Sequence, residues 1–121
     1  MGVPGIRIED AELRFGGMTV FSGLGLVLPA GEWTAVLGAS GVGKTSLLRL
    51  VAGLTEGAAT AGEVAADDGR PLTDRIAYMA QQDLLLPWLT AAENVALPAR
   101  LRQGRTTAAD REKAARYLDL V

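Results

Sequence analysis

Apolar positions alternate at the start of the chain, at Ile6 and Ile8 and again at Leu13 and Phe15, on either side of the acidic pair Glu9-Asp10. Alternation is what half-buried strands require, because successive side chains point to opposite faces of a sheet. Gly16-Gly17 reads as a turn, Val20 and Phe21 continue the pattern, and Leu24, Leu26 and Leu28 alternate until Pro29-Ala30-Gly31 ends it. A small antiparallel β-layer is expected here.

The pattern then changes. Glu32-Trp33-Thr34-Ala35-Val36-Leu37 is a short apolar run of the kind a buried parallel strand shows, whereas Leu47, Leu50, Val51 and Leu54 have helical spacing. Gly53 is a natural helix terminator, and Thr55 to Gly62 reads as a small-residue linker without periodicity. Val64 sits in a brief strand candidate closed by Asp67-Asp68-Gly69. Arg75-Ile76-Ala77-Tyr78-Met79-Ala80 reads as a second core strand, delivering Gln81, Gln82 and Asp83 at its carboxyl end, the end where parallel α/β sheets bind ligands. Thr90-Ala91-Ala92-Glu93 fits a capping box, so a helix is expected from about Ala91 until Pro98 bends or stops it. A last helix is expected to begin near Thr107, with Ala114, Leu118 and Val121 on one face.

Between the first expected core strand and its helix lies Gly38-Ala39-Ser40-Gly41-Val42-Gly43-Lys44-Thr45-Ser46. Gly38, Gly43, Lys44 and Thr45 fill every fixed position of the phosphate-binding pattern G-x-x-x-x-G-K-[ST]. The chemistry explains the residue types. A triphosphate concentrates negative charge, and a helix start offers unpaired N–H groups with about half a positive charge from the aligned peptide dipoles. Gly38, Gly41 and Gly43 lack a Cβ, so the backbone N–H groups from Ser40 through Ser46 can turn inward and approach phosphate oxygens. Lys44 would bridge the β- and γ-phosphates, and the Thr45 hydroxyl would complete the shell of a Mg2+ ion. The expected architecture is thus α/β, a phosphate-loop core of strand, loop and helix behind the antiparallel β-layer, followed by the start of a helical subdomain.

Composition narrows the classes. The chain has 121 residues, 49% of them hydrophobic, which bounds it at one domain. It contains no cysteine, so disulfides and thiolate-ligated metals are excluded, and no histidine, which excludes an imidazole base. Acidic and basic residues nearly balance, 14 against 12, and no block of like charge favours nucleic acid. Arg100, Arg102 and Arg105 read as a solvated face. No apolar run approaches the roughly eighteen residues of a membrane span, and Met1-Gly2-Val3-Pro4-Gly5 opens neither a signal peptide nor a myristoylation site, since Ile6 stands where Ser or Thr is required. A soluble chain is expected. A phosphate-loop ATPase also needs an apolar strand ending in Asp to hold the metal through its waters. Val64-Ala65-Ala66-Asp67 is too short and too small in its side chains for that role, and Asp119-Leu120-Val121 ends the sequence in mid-pattern, so the fold is expected to be incomplete at its C-terminus.

These ordered motifs resemble the nucleotide-binding subunit of ATP-binding cassette transporters. Gly38 to Ser46 looks like the family's phosphate loop, Phe15 falls where the family stacks an aromatic ring on adenine, and Gln81 matches the glutamine of its Q-loop. Leu85-Leu86-Pro87-Trp88-Leu89-Thr90 and Glu93-Asn94-Val95 resemble the segment leading into the helical subdomain. The resemblance covers residues 1–121 as a partial ATP-binding domain, with the β-layer and phosphate-loop core over about 1–81 and the Q-loop and helical start over about 82–121. The family's signature sequence, acidic metal strand, catalytic glutamate and switch histidine have no counterpart in it. Alternatives stay open at single residues: Phe15 as core, Gln81 as a capping amide at a strand end, Trp88 as core or as an apolar patch receiving a helix of a membrane partner.

The resemblance implies ATP and Mg2+ as ligands. It assigns Phe15, Gly38, Ser40, Gly41, Val42, Gly43, Lys44, Thr45 and Ser46 to the nucleotide, Thr45 and Gln81 to the metal, and Lys44 and Gln81 to catalysis. It further implies transmembrane permease subunits contacting Gln81 to Pro98, a second ATP-binding subunit, an indirect link to a solute-binding protein, and a cytoplasmic site on the inner face of the membrane. Leu-Leu-Pro-Trp resembles the importer group for nitrate, sulfonates, taurine and thiamine precursors. Two other readings use the same loop: a soluble cassette ATPase of DNA repair or translation, and a small-molecule kinase. The former would carry long insertions or basic arms absent here; the latter would need an arginine-rich lid, and the Gln81 segment argues against it. A polypeptide of these residues alone is expected to bind ATP but turn it over poorly, because only one side of the γ-phosphate would be provided for.

Overall fold

The computed structural model describes residues 2–121, so Met1, the first residue of the N-terminal reading, lies outside the described residues. The chain forms two compact units, one ending at Met79 and the other running from Ala80 to Val121.

In the first unit, β1 (Ile6–Phe15) lies between β2 (Met18–Leu28) and β3 (Ala59–Ala66), giving the antiparallel order β2-β1-β3. The alternating apolar positions flanking Glu9-Asp10 do not belong to separate strands. They form one strand interrupted by a bulge. Ile8 pairs with Leu26 and Ala11 with Leu24, three steps on β1 against two on β2, and the same offset separates Glu9↔Glu63 from Glu12↔Ala61 on β3. Asp10 is the additional residue and adopts φ 49°. The bulge resets the parity of the strand, so Ile8 before it and Ala11 and Leu13 after it all turn inward and are almost fully buried. Gly62 lies opposite at φ 83°, where a Cβ would come within 2.6 Å of the Asp10 carbonyl carbon and of the Glu9 oxygen. The small-residue stretch expected as a linker therefore supplies half of β3: its backbone pairs with β1, and the lack of bulk lets it pass the bulge.

After the glycine loop, α1 (Lys44–Val51) presses Leu47 against Ile8 and Ala11, with Phe21, Leu24, Leu26, Val36, Leu50, Val51 and Val64 packed around them. This is the core of the unit. The runs Glu32–Leu37 and Arg75–Ala80, expected as core strands, pair with no strand among the described residues. A parallel strand takes its hydrogen bonds from parallel neighbours, and the three strands present are joined only to one another. Only Val36 of the first run reaches the core, while Trp33, Leu37 and Met79 are exposed. The architecture is α/β with an antiparallel sheet and three helices. Beyond β3, the Arg75 guanidinium grips Asp68 through two hydrogen bonds of 2.6 and 3.1 Å, which closes the turn after the strand and holds the Asp68 carboxyl below its ordinary range.

The second unit contains α2 (Ala91–Gln103) and α3 (Ala108–Leu118). The Thr90–Glu93 capping box forms: the Thr90 N–H donates to the Glu93 carboxylate at 2.7 Å and the Glu93 N–H donates to the Thr90 hydroxyl at 3.2 Å. Thr107 and Asp110 repeat the arrangement at the start of α3. Pro98 does not stop α2, which continues to a left-handed Gly104 at φ 73°. Proline removes its own N–H bond and crowds the carbonyl four residues back, but the bonds on either side carry the helix on. Ala114 is buried and Leu118 half-buried on α3, but Val121 lies beyond the helix and is exposed, so the expected apolar face is one residue shorter.

Candidate functional site: a glycine loop at a helix start

The loop between Leu37 and α1 is built so that a helix begins at Lys44 without a side-chain cap. Gly43 occupies the N-cap at φ 100°, ψ 14°, has no side chain to donate an oxygen, and no acidic residue follows in the first turn. The first bond of the helix runs from the Leu47 N–H to the Gly43 carbonyl at 2.9 Å. The N–H groups of Lys44, Thr45 and Ser46 precede it and have no place in the helical ladder. With the peptide dipoles behind them, they form an anion-attracting end.

Lys44 completes this geometry. Its ammonium donates to the Gly38 carbonyl at 2.7 Å and to the Ala39 carbonyl at 2.6 Å, folding the side chain back along the loop. The loop is tight: a Cβ at Gly38 would stand 3.0 Å from Val42 Cγ2 and 3.7 Å from Lys44 Cδ. Gly43 leans on the β1–β2 hairpin, where a Cβ would meet Val20 Cγ1 at 2.9 Å and Phe21 Cδ1 at 3.6 Å. Those two hairpin contacts escape sequence reading, since they join residues more than twenty apart that share no local pattern. Ser40, Gly41, Val42 and Thr45 are exposed around the loop, and Ser46 is half-buried.

Phe15 ends β1 at the Gly16-Gly17 turn, pairs with Met18 and is 39% exposed, so it lies outside the core that buries Leu13. Gln81 is exposed near the start of the second unit. In that unit Leu84, Leu85 and Trp88 are exposed ahead of α2, while Leu86 and Leu89 are half-buried. Among the described residues no group of three or more His, Cys, Asp or Glu side chains is arranged to hold a metal ion. The hydroxyls of Ser40, Thr45 and Ser46 are hard oxygens at the loop, of the type Mg2+ accepts beside phosphate and water.

A family model for ABC transporters matches residues 21–121, which takes in the loop, α1, β3 and both helices of the second unit. The chain belongs to the ABC transporter family. It is 40% identical over 116 residues to an uncharacterized ABC transporter ATP-binding protein of Haemophilus influenzae, covering 96% of this chain and 46% of that protein. It is 39% identical over 94 residues to an aliphatic sulfonates import ATP-binding protein of Streptomyces avermitilis, covering 78% of this chain and 35% of the relative. A sulfate/thiosulfate import ATP-binding protein of Xylella fastidiosa is 35% identical and aligned over 97% of this chain and 34% of its own length. The chain thus spans between a third and a half of these ABC relatives. Among the described residues no helix is long and apolar enough to cross a membrane.

Proposed function

We propose that the chain is the nucleotide-binding part of the ATP-hydrolysing motor subunit of an ABC importer, and that Gly38 to Ser46 is its ATP-phosphate site. The observation that carries the reading is Lys44: a cation held beside an uncapped helix start, with no carboxylate in the first turn to compete for it. The loop N–H groups from Ser40 to Ser46 bind and orient the phosphates, Lys44 adds charge at the β- and γ-positions, and the partly exposed Phe15 stacks on adenine. Thr45 would hold Mg2+, and the ion would supply charge neutralisation on the phosphate oxygens. Gln81 to Pro98 faces the permease subunits, a second ATP-binding subunit completes the site, and a solute-binding protein acts indirectly, at the cytoplasmic face of the membrane. The relatives named for aliphatic sulfonates and for sulfate/thiosulfate favour small sulfur oxyanions as the solute class.

The test is a fluorescent-nucleotide titration. Lys44→Ala removes a charge-assisted contact worth about 1.5–3 kcal/mol, so affinity is expected to fall roughly ten- to a hundredfold. Lys44→Arg keeps the charge but not a compact ammonium able to meet two carbonyls at once, and is expected to fall nearly as far. Unchanged dissociation constants in both variants would remove the loop from nucleotide binding.

A further inference from the structure

In the unit beginning at Ala80, the turn ahead of α2 is tied to the helix by one side chain. The Leu86 N–H donates to Asn94 Oδ1 at 2.8 Å, and Asn94 Nδ2 lies 3.2 Å from the Leu86 carbonyl, 3.2 Å from the Leu89 carbonyl and 3.1 Å from the Thr90 carbonyl. The orientation of the amide follows from its partners, since only the oxygen accepts from an N–H and only the NH2 donates to carbonyls. Asn94 therefore satisfies both polar groups of Leu86, as a neighbouring strand would. The backbone adds the Leu89 N–H to the Leu86 carbonyl at 3.0 Å. The result is a fixed turn that leaves Leu85 64% and Trp88 75% exposed.

We propose that Asn94 is a positioning residue for coupling: it holds residues 86–90 in one conformation so that Leu85 and Trp88 meet the membrane partner already ordered. The role rests on the reading that this region faces a permease. Its physical basis is the entropy of association, because an apolar contact fixed before docking does not lose its freedom on docking. Asn94 touches neither nucleotide nor partner in this role and acts through the turn.

Asn94→Asp separates this role from simple support of α2. Aspartate keeps an acceptor for the Leu86 N–H and suits the positive end of a helix, but sets a carboxylate oxygen against three carbonyl oxygens. Support of the helix alone would leave Asn94→Asp neutral. In the full-length subunit, amide hydrogen exchange at Leu86 and Leu89 is expected to rise about tenfold in Asn94→Asp and Asn94→Ala, with the later turns of α2 still protected. In the complete transporter reconstituted in liposomes, coupled ATP hydrolysis is expected to fall several-fold in both, with the nucleotide dissociation constant unchanged. Unaltered exchange at Leu86 overturns the proposal, and so does faster exchange with normal coupling. Trp88→Ala, which keeps the Asn94 bonds, distinguishes the failures: coupling lost in Trp88→Ala but kept in Asn94→Asp sinks the role of Asn94 alone. Coupling intact in both sinks the permease-docking reading and the role of Asn94 with it.

Discussion

Gly43→Ala tests how the glycine loop is held against the sheet. Gly43 sits at φ 100°, and an added Cβ would lie 2.9 Å from Val20 Cγ1. The left-handed backbone alone costs an L-residue with a Cβ about 1–2 kcal/mol. Forcing a methyl into Val20 adds roughly 1–3 kcal/mol, because Val20 is β-branched, stiff at χ1 and half-buried in β2. Gly41 is the internal control: it has φ 81° but nothing within 4 Å of its Cβ position, so Gly41→Ala carries the backbone cost and not the clash. Denaturant unfolding is expected to show Gly43→Ala destabilised by about 2–5 kcal/mol and Gly41→Ala by about 1–2 kcal/mol. In a Val20→Ala background the two glycine substitutions should converge, a coupling of about 1–3 kcal/mol in a double-mutant cycle. Nucleotide affinity should fall further in Gly43→Ala, since the N-cap orients the first N–H groups of α1. Equal losses at Gly41 and Gly43, with no coupling to Val20, would refute the contact.

Gly62→Ala combines a φ of 83° with a close approach to the Asp10 and Glu9 backbone, so unfolding measurements should show a loss of about 2–4 kcal/mol; a neutral substitution would mean that the β1 bulge is absent. The Thr90 N–H and hydroxyl lower the Glu93 carboxyl from its usual 4.5, and the Thr107 hydroxyl and N–H lower that of Asp110 from 3.8. A carboxylate depressed in the folded state contributes stability that is complete above its unfolded pKa and is lost as pH falls through the folded value. Helical circular dichroism of the second unit should therefore be level above about pH 5 and decline below about pH 4, with a shallower decline in Glu93→Gln/Asp110→Asn; identical profiles would exclude the caps as the cause.

Local chemistry was legible and long-range pairing was not. Thr90–Glu93 and the start near Thr107 could be read because a capping box closes within four residues. The glycine loop was readable for the same reason: spacing alone identifies a turn that opens a helix. The Glu9-Asp10 pair misled because a polar interruption between alternating segments looks the same whether it separates two strands or bulges one. The parity change becomes visible only once β2 and β3 are aligned beside it. Trp33–Leu37 has the composition of a buried strand, but a strand is defined by its partners, and composition does not say which partners are within reach. Asn94 lies in a segment that its motif order marks out, yet its bonds to Leu86 join residues eight apart across a turn, which no local sequence pattern encodes.

Lys44 shows why a positive residue alone does not describe the candidate site. An ammonium has three donors, and two are directed at Gly38 and Ala39 carbonyls. The third would serve an anion without either bond being given up. On the proposed phosphate-site reading the lysine is a cation already held by the loop, and an anion would meet charge in position. A free surface lysine would have to lose about 2 kcal/mol of rotamer freedom at the moment of binding, comparable to the contact itself. The same two bonds also close the loop on itself, so removing the ammonium would loosen the N–H groups proposed to orient the phosphate. Loss of affinity in Lys44→Ala is therefore expected at the upper end of the roughly ten- to hundredfold range, and charge without that geometry, as in Lys44→Arg, is not expected to restore it.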